Sequence, residues 1–266
     1  MNKLYRIVGT LLATLLVCMA GSVAAHQQWL SPNSFIETGD SAWITFDHSF
    51  SDRRFYAGSG PGSYYSWWVV GPDGLKRAVP ALFVGKTRTV GELELTVSGT
   101  YRVEGVEDSM LWTRVKINGE ETWQPGGREE FSAESVLQSR IYFSKAVTYI
   151  SLGAPSRGAL SPTGEPLEIV FTEHPNSITT GTAFTVTVLA DGEPIAEHPI
   201  RVYSQFDHGH DPALTCTTNT AGLCSISPAK SGRYLLETSM KGDFQGNPNV
   251  DGYVNGYTVL IDVSDQ

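Results

Sequence analysis

Val23-Ala24-Ala25 offers a signal peptidase two places to cut, and either one would leave His26 as the first or second residue of the mature chain. A histidine in that place can hold a metal. A cut after Ala25 frees the amine of His26, whose pKa of about 8 lies close to neutral, so amine and imidazole can close a chelate ring on a divalent cation. A cut after Ala24 gives Ala-His instead, whose amine, amide and imidazole nitrogens can wrap Cu(II) or Ni(II) in a plane. His48, in Phe46-Asp47-His48-Ser49-Phe50 at the end of an expected strand, is the natural second ligand, and Asp47 can orient its ring or add an oxygen. The residues alone leave the alternative open: His26 merely follows the cut and His48 caps a strand edge.

A second histidine-rich word, Asp207-His208-Gly209-His210-Asp211, places two imidazoles and two carboxylates within one expected loop. In an extended conformation His208 and His210 point to the same side, which suits joint coordination; a solvated loop is the competing reading. His174 and His198 each precede a proline and are read as structural. Tyr64, Tyr65, Trp67 and Trp68, with Trp112 and Trp123, form an aromatic set that can stack on sugar rings. Trp67 and Trp68 must face opposite ways on a strand, so at least one is expected in the core. Gly-x-Ser-x-Gly, His-Glu-x-x-His and a phosphate-cradling glycine loop are all missing, and no enzyme is expected.

Lys3 and Arg6 ahead of the apolar run Ile7–Cys18 make residues 1–25 an expected signal peptide, too short for a membrane anchor. Cys18 follows Leu15, Leu16 and Val17, which is not the setting of a lipidated cysteine. The expected product is an exported protein of the periplasm. The formal charge of −9 becomes more negative once those two cations leave, which argues against nucleic acid and allows cation capture. In an oxidising compartment Cys216 and Cys224, either side of the turn word Asn219-Thr220-Ala221-Gly222, read as a disulfide across adjacent strands rather than a zinc site.

The elements that must position these residues are strands. Ala42–Phe46, Ser66–Val70, Glu92–Val97, Thr100–Val106 and Leu111–Ile117 are short, β-branched or aromatic, and bounded by turn words such as Pro72-Asp73-Gly74 and Asn118-Gly119. One short helix is expected over Glu129–Leu137. Gly, Pro and Ser collect between Ser156 and Pro166, which puts a domain boundary near residue 164. Beyond it come about seven further strands: Leu167–Thr172, Ala183–Leu189, Ile200–Ser204, Leu214–Thr217, Leu223–Ile226, Tyr234–Thr238 and Tyr257–Val263. The expected fold is all-β, with two β-sandwich-like domains at 26–164 and 165–266, the second immunoglobulin-like.

His26-Gln27-Gln28-Trp29-Leu30, Ser144-Lys145-Ala146, Pro166-Leu167-Glu168-Ile169-Val170, Leu189-Ala190-Asp191-Gly192-Glu193-Pro194-Ile195, Thr220-Ala221-Gly222 and Ser231-Gly232-Arg233-Tyr234-Leu235-Leu236-Glu237 come in an order that spans nearly the whole mature chain. In this it resembles a bacterial family of uncharacterised periplasmic proteins described as the periplasmic component of nickel or cobalt transport systems. The resemblance implies a two-part β protein that binds a transition metal outside the inner membrane and supports its uptake. The cysteine pair and the Asp207 to Asp211 loop are not among the residues that carry the resemblance. The expected metal site therefore rests on the terminal amine, His26 and His48, with His208 and His210 as an optional second site.

Nitrogen ligands of this kind suit nickel, cobalt or copper better than magnesium or calcium. The expected partners are the metal ion and a transporter of the inner membrane or a receptor of the outer one. The alternative is an envelope module with no metal, holding a glycan or a partner protein on an exposed Trp67 or Trp68. A copper enzyme built on a two-histidine brace ranks last, since no flat substrate surface is evident.

Overall fold

The computed structural model describes residues 27–51, 55–57, 64–107, 109–207 and 211–266. In chain order the first part contains β1 (Gln27–Pro32), β2 (Ile36–Glu37), β3 (Ala42–Ser51), β4 (Tyr64–Val70), β5 (Lys76–Ala78), β6 (Ala81–Val84), β7 (Thr89–Leu95), β8 (Gly99–Glu107), β9 (Met110–Ile117), β10 (Glu120–Pro125) and β11 (Val136–Leu152). The second contains β12 (Glu168–Phe171), β13 (Phe184–Ala190), β14 (Glu193–Pro194), β15 (Pro199–Ser204), β16 (Leu214–Thr217), β17 (Leu223–Ile226), β18 (Gly232–Asp243) and β19 (Gly252–Val263). Short 3-10 turns are the only helical pieces among the described residues.

These strands form three sheets. One runs β1-β3-β7-β6, another is β12-β13-β14 with β17 also on β13, and a large one runs β16-β15-β18-β19-β11-β8-β4-β5 with β2, β9 and β10 attached. The molecule is thus all-β and built from sandwiched sheets, as the strand words predict. Asn118-Gly119 and Asp191-Gly192 have the positive φ pairs of tight hairpin turns, joining β9 to β10 and β13 to β14.

The large sheet passes through both parts of the chain, because β11 pairs antiparallel with β8 and β9 and parallel with β19. Residues 146–152 are all buried, and alternate side chains serve different cores. Ala146, Ile150 and Leu152 join Leu30, Ile44, Phe46, Trp67 and Val103 in the N-terminal core, while Val147 and Tyr149 join Ile169, Val186, Ile200 and Val259 in the C-terminal one. The period of two along a strand therefore gives each face of β11 its own core. A third, smaller cluster of Trp29, Phe35, Tyr203, Leu235 and Leu260 ties β1 to the C-terminal part of the large sheet.

Two expectations are corrected here. No helix covers Glu129–Leu137: Arg128–Glu130 makes a single 3-10 turn, held by the Glu130 carboxylate accepting from Gly127 N–H at 2.9 Å, and β11 has begun by Val136. Nine residues are too few to nucleate a helix without tertiary help, and Val136 is claimed by the ladder with β9. The Cys216–Cys224 disulfide is formed, but it does not join neighbours of one sheet. β16 pairs with β15 in the large sheet and β17 with β13 in the opposite one, so the bond staples the two layers of the C-terminal sandwich.

Candidate metal centre

Ile44, Phe46 and His48 alternate inward from β3, which carries His48 into the N-terminal core, where it is fully buried. It lies opposite Leu30 of β1 on one side and Thr89 of β7 on the other. Its ring meets Trp67 edge-on at 6.2 Å, and Phe46 meets the same indole at 6.5 Å. The indole needs room: a Cβ on Gly91, opposite Phe46, would penetrate the Trp67 ring. Asp47 does not orient the His48 ring, since neighbouring strand residues face opposite ways, and its carboxylate pairs with Arg88 at 3.2 Å on the outer face.

Two positions along β1 from Leu30, on the same face, Gln28 donates its side-chain N–H to the Glu107 carboxylate at 3.0 Å. Glu107 comes from β8 and is buried. The end of the sandwich nearest position 26 thus contains an imidazole and a carboxylate on its inward side. His26, His208 and His210 lie outside the described residues. Their described neighbours can be placed. Gln27 pairs with Ser51, and shortly after Ser51 the residues Phe55 and Tyr56 share a cleft of about 370 Å³ with Gln205, Phe206 and Arg233. Phe206 lies two positions before His208 and sits under the Lys230 ammonium at 5.1 Å. Asp207 accepts from Ser204 N–H at 2.6 Å and so anchors the start of its loop. Among the described residues no group of three or more His, Cys, Asp or Glu side chains is clustered as a metal site.

His174 and His198 are both partly buried, and the His174 ring has a local structural role. His174 Nδ1 accepts from Asn176 N–H at 3.1 Å, which leaves Nε2 to carry the proton, 2.8 Å from Thr100 Oγ1 and 3.1 Å from the Ser156 carbonyl. Burial pulls both imidazoles below their ordinary value and keeps them neutral. Trp67, at 2 % exposure, is core, and Trp68 is half-buried beneath Lys76, 5.4 Å from the ring. The exposed indole is Trp43, at 64 %, on the outer face of β3 and opposite Glu94 of β7. Strand alternation from the buried Ile44 and Phe46 was the sequence signal for it.

The other feature missed in the sequence is a buried charge cluster. Glu104 of β8 meets Arg102 at 2.8 Å and Lys76 at 2.9 Å, with Lys145 of β11 at 3.6 Å. Lys145 also bonds Glu165 at 2.9 Å, and Arg102 donates to the Ser161 carbonyl at 3.0 Å, so the cluster fastens the segment around 161–165 to the large sheet. Burial alone would raise the Glu104 carboxyl, but Lys145, Arg102 and Lys76 outweigh it and hold the group below its ordinary value. Burial pushes the neighbouring Tyr149 phenol up to about 12.

Among solved structures the chain aligns with the D0-D1 domain of intimin at 10 % identity, covering 88 % of this chain and 97 % of that one with a TM-score of 0.22. A red sea bream transglutaminase aligns at 11 % identity over 91 % of this chain and 31 % of its own, with a TM-score of 0.20. A marsupial T cell receptor does so at 13 % identity over 91 % and 74 %, with a TM-score of 0.21. Scores this low carry no argument about fold or function. No curated protein matches. One family model does match, over residues 23–242, which is most of the chain, and the protein belongs to that family, the Domain of unknown function DUF4198.

Proposed function

We propose that the mature protein is a periplasmic binder of nickel, cobalt or copper that buffers the ion or hands it to a membrane transporter or receptor, with its site started by the terminal amine and ring of His26. The observation that supports this reading is the buried His48 imidazole and Glu107 carboxylate on the inward side of the sandwich end that adjoins position 26. Register sets a condition on the site. Leu30, opposite His48, is four residues from His26, on the order of 13 Å along an extended strand, so a shared ion requires the chain ahead of Gln27 to fold back over the interior. Otherwise Glu107 or the 207–211 loop must supply the further ligands. Copper would bind most tightly in an unspecialised nitrogen site, so preference for nickel or cobalt would have to come from geometry.

The test is a calorimetric titration of the mature protein, its N-terminus confirmed by mass spectrometry, with Ni(II), Co(II) and Cu(II). One-to-one binding should be lost both in His26→Ala and in a form whose amine is blocked by an N-terminal extension. Unchanged affinity in the extended form overturns the reading.

The second reading, an envelope module for a glycan, is favoured by one observation, the exposed Trp43 flanked on its sheet face by Glu92 and Glu94. Aromatic stacking with carboxylates accepting from sugar hydroxyls would hold a neutral chain there. Quenching of tryptophan emission by neutral oligosaccharides, absent in Trp43→Ala, is its signature.

A further inference from the structure

A cleft of about 330 Å³ lies between the turn at 33–36 in the N-terminal part and the ends of β18 and β19 in the C-terminal part. Arg233 and Asp262 both line it and are direct partners in the β18–β19 ladder. They do not form an ion pair. The Arg233 guanidinium is drawn instead to β1, donating to Ser31 Oγ at 2.9 Å and to the Pro32 carbonyl at 3.5 Å, and it lies 6.0 Å from the Phe35 ring. Those bonds use two of its five N–H groups. The carboxylate of the half-buried Asp262 has no hydrogen bond or ion pair among the described residues, and burial raises it above the ordinary range despite the nearby Arg233.

Asn176 forms part of the same wall. Its amide N–H groups are committed to the carbonyls of Phe35, at 2.7 Å, and Tyr149, at 3.1 Å, which fixes the orientation of the amide. Its Oδ1 is buried and accepts from no donor among the described residues. The cleft therefore carries a carboxylate that lacks a donor, beside a guanidinium with N–H groups to spare and an aromatic wall, with the buried Asn176 amide oxygen lying behind its surface. A partly desolvated acid and base held apart on neighbouring strands is a costly arrangement for packing alone.

We infer that this cleft binds a small zwitterion of free amino acid size, its ammonium on Asp262 and its carboxylate on Arg233. Charge-assisted bonds at both ends would fix the orientation, with the substituent against Phe35. Arg233 also lines the cleft beside Phe206, but the inference uses none of the proposed metal ligands and stands whether or not that reading does.

The experiment is a two-dimensional amide NMR titration of the metal-free mature protein, in the presence of chelator, with L-alanine, L-leucine and L-glutamine, and with methylammonium and acetate as single-ended controls. At least one amino acid should bind saturably and shift the amides of Asn176, Arg233 and Asp262, and each control should bind at least about tenfold more weakly. Asp262→Asn should cost at least about tenfold in affinity while leaving Tm unchanged or higher, because burial disfavours the charge it removes more than the nearby Arg233 favours it. No binding by any of the three up to about 10 mM, far weaker than an ordinary ligand site, overturns the inference. So do shifts confined to other regions, or methylammonium binding as tightly as the amino acids. The wild-type shifts decide the matter even if the variant fails to fold.

Discussion

His48 illustrates how much a single position depends on the pleat. Its alternation with Ile44 and Phe46 is written in the sequence and sends it inward, whereas Asp47, read there as its helper, is sent outward to Arg88 by the same rule. What alternation alone cannot say is what the inward face meets. The answer is the Trp67 indole, and that contact depends on Gly91, which has no counterpart in any motif because the demand comes from another strand. Gly91→Ala should therefore overpack this layer and destabilise the protein by about 1–3 kcal/mol, read as a lower urea midpoint with an unchanged slope. The same substitution should alter the near-ultraviolet circular dichroism of the tryptophans. A neutral outcome would mean that the indole has room to move away from His48.

At the scale of elements, the C-terminal strands were legible because their β-branched and aromatic stretches are bounded by turn words; the expected stretches Tyr234–Thr238 and Tyr257–Val263 fall inside the longer β18 and β19. β1 and β11 were not. β1 follows directly on the expected leader, and its aromatic and polar residues form no clean alternation. β11 follows directly on a Glu- and Ser-rich stretch that reads as helix and ends in a run buried on both faces, which has lost the period that marks a strand. The Glu104 cluster was illegible for a related reason, since its members come from β8, β5, β11 and the connection after β11 and meet only through tertiary structure. Removing that carboxylate strands buried cations. Glu104→Gln should cost about 3–5 kcal/mol at neutral pH. Because the folded-state pKa is depressed, this contribution is fully present above the unfolded carboxyl value of about 4.3 and disappears as pH falls through the lower folded value. The gap between variant and wild type in denaturant titrations should then be wide at pH 7 and close at strongly acid pH. A gap independent of pH would show that the loss comes from packing rather than charge.

For the whole molecule, the boundary expected near residue 164 falls in the connection between β11 and β12, which is where the Gly, Pro and Ser composition changes. The large sheet nevertheless runs without a break across it, through the parallel pairing of β11 with β19. A fragment spanning 165–266 would lose that neighbour, along with Val147 and Tyr149 from its core. It should fail to give a dispersed amide NMR spectrum, while a fragment beginning at Val136 should fare better; a well-folded 165–266 fragment would contradict the shared role of β11. Intact protein should unfold in one calorimetric transition, with both cores lost together.

Since odd positions of β11 between 146 and 152 point into one core and even positions into the other, the length of the chain in this stretch is fixed to the residue. Inserting or deleting one amino acid would exchange the two sets, sending Tyr149 toward Trp67 and Ile150 toward Phe171. Substitutions here can be absorbed one at a time, but a frame of alternation cannot be shifted by half a period. Among descendants of this sequence, insertions and deletions should accumulate in the 153–166 connection and be purged from the seven residues just before it.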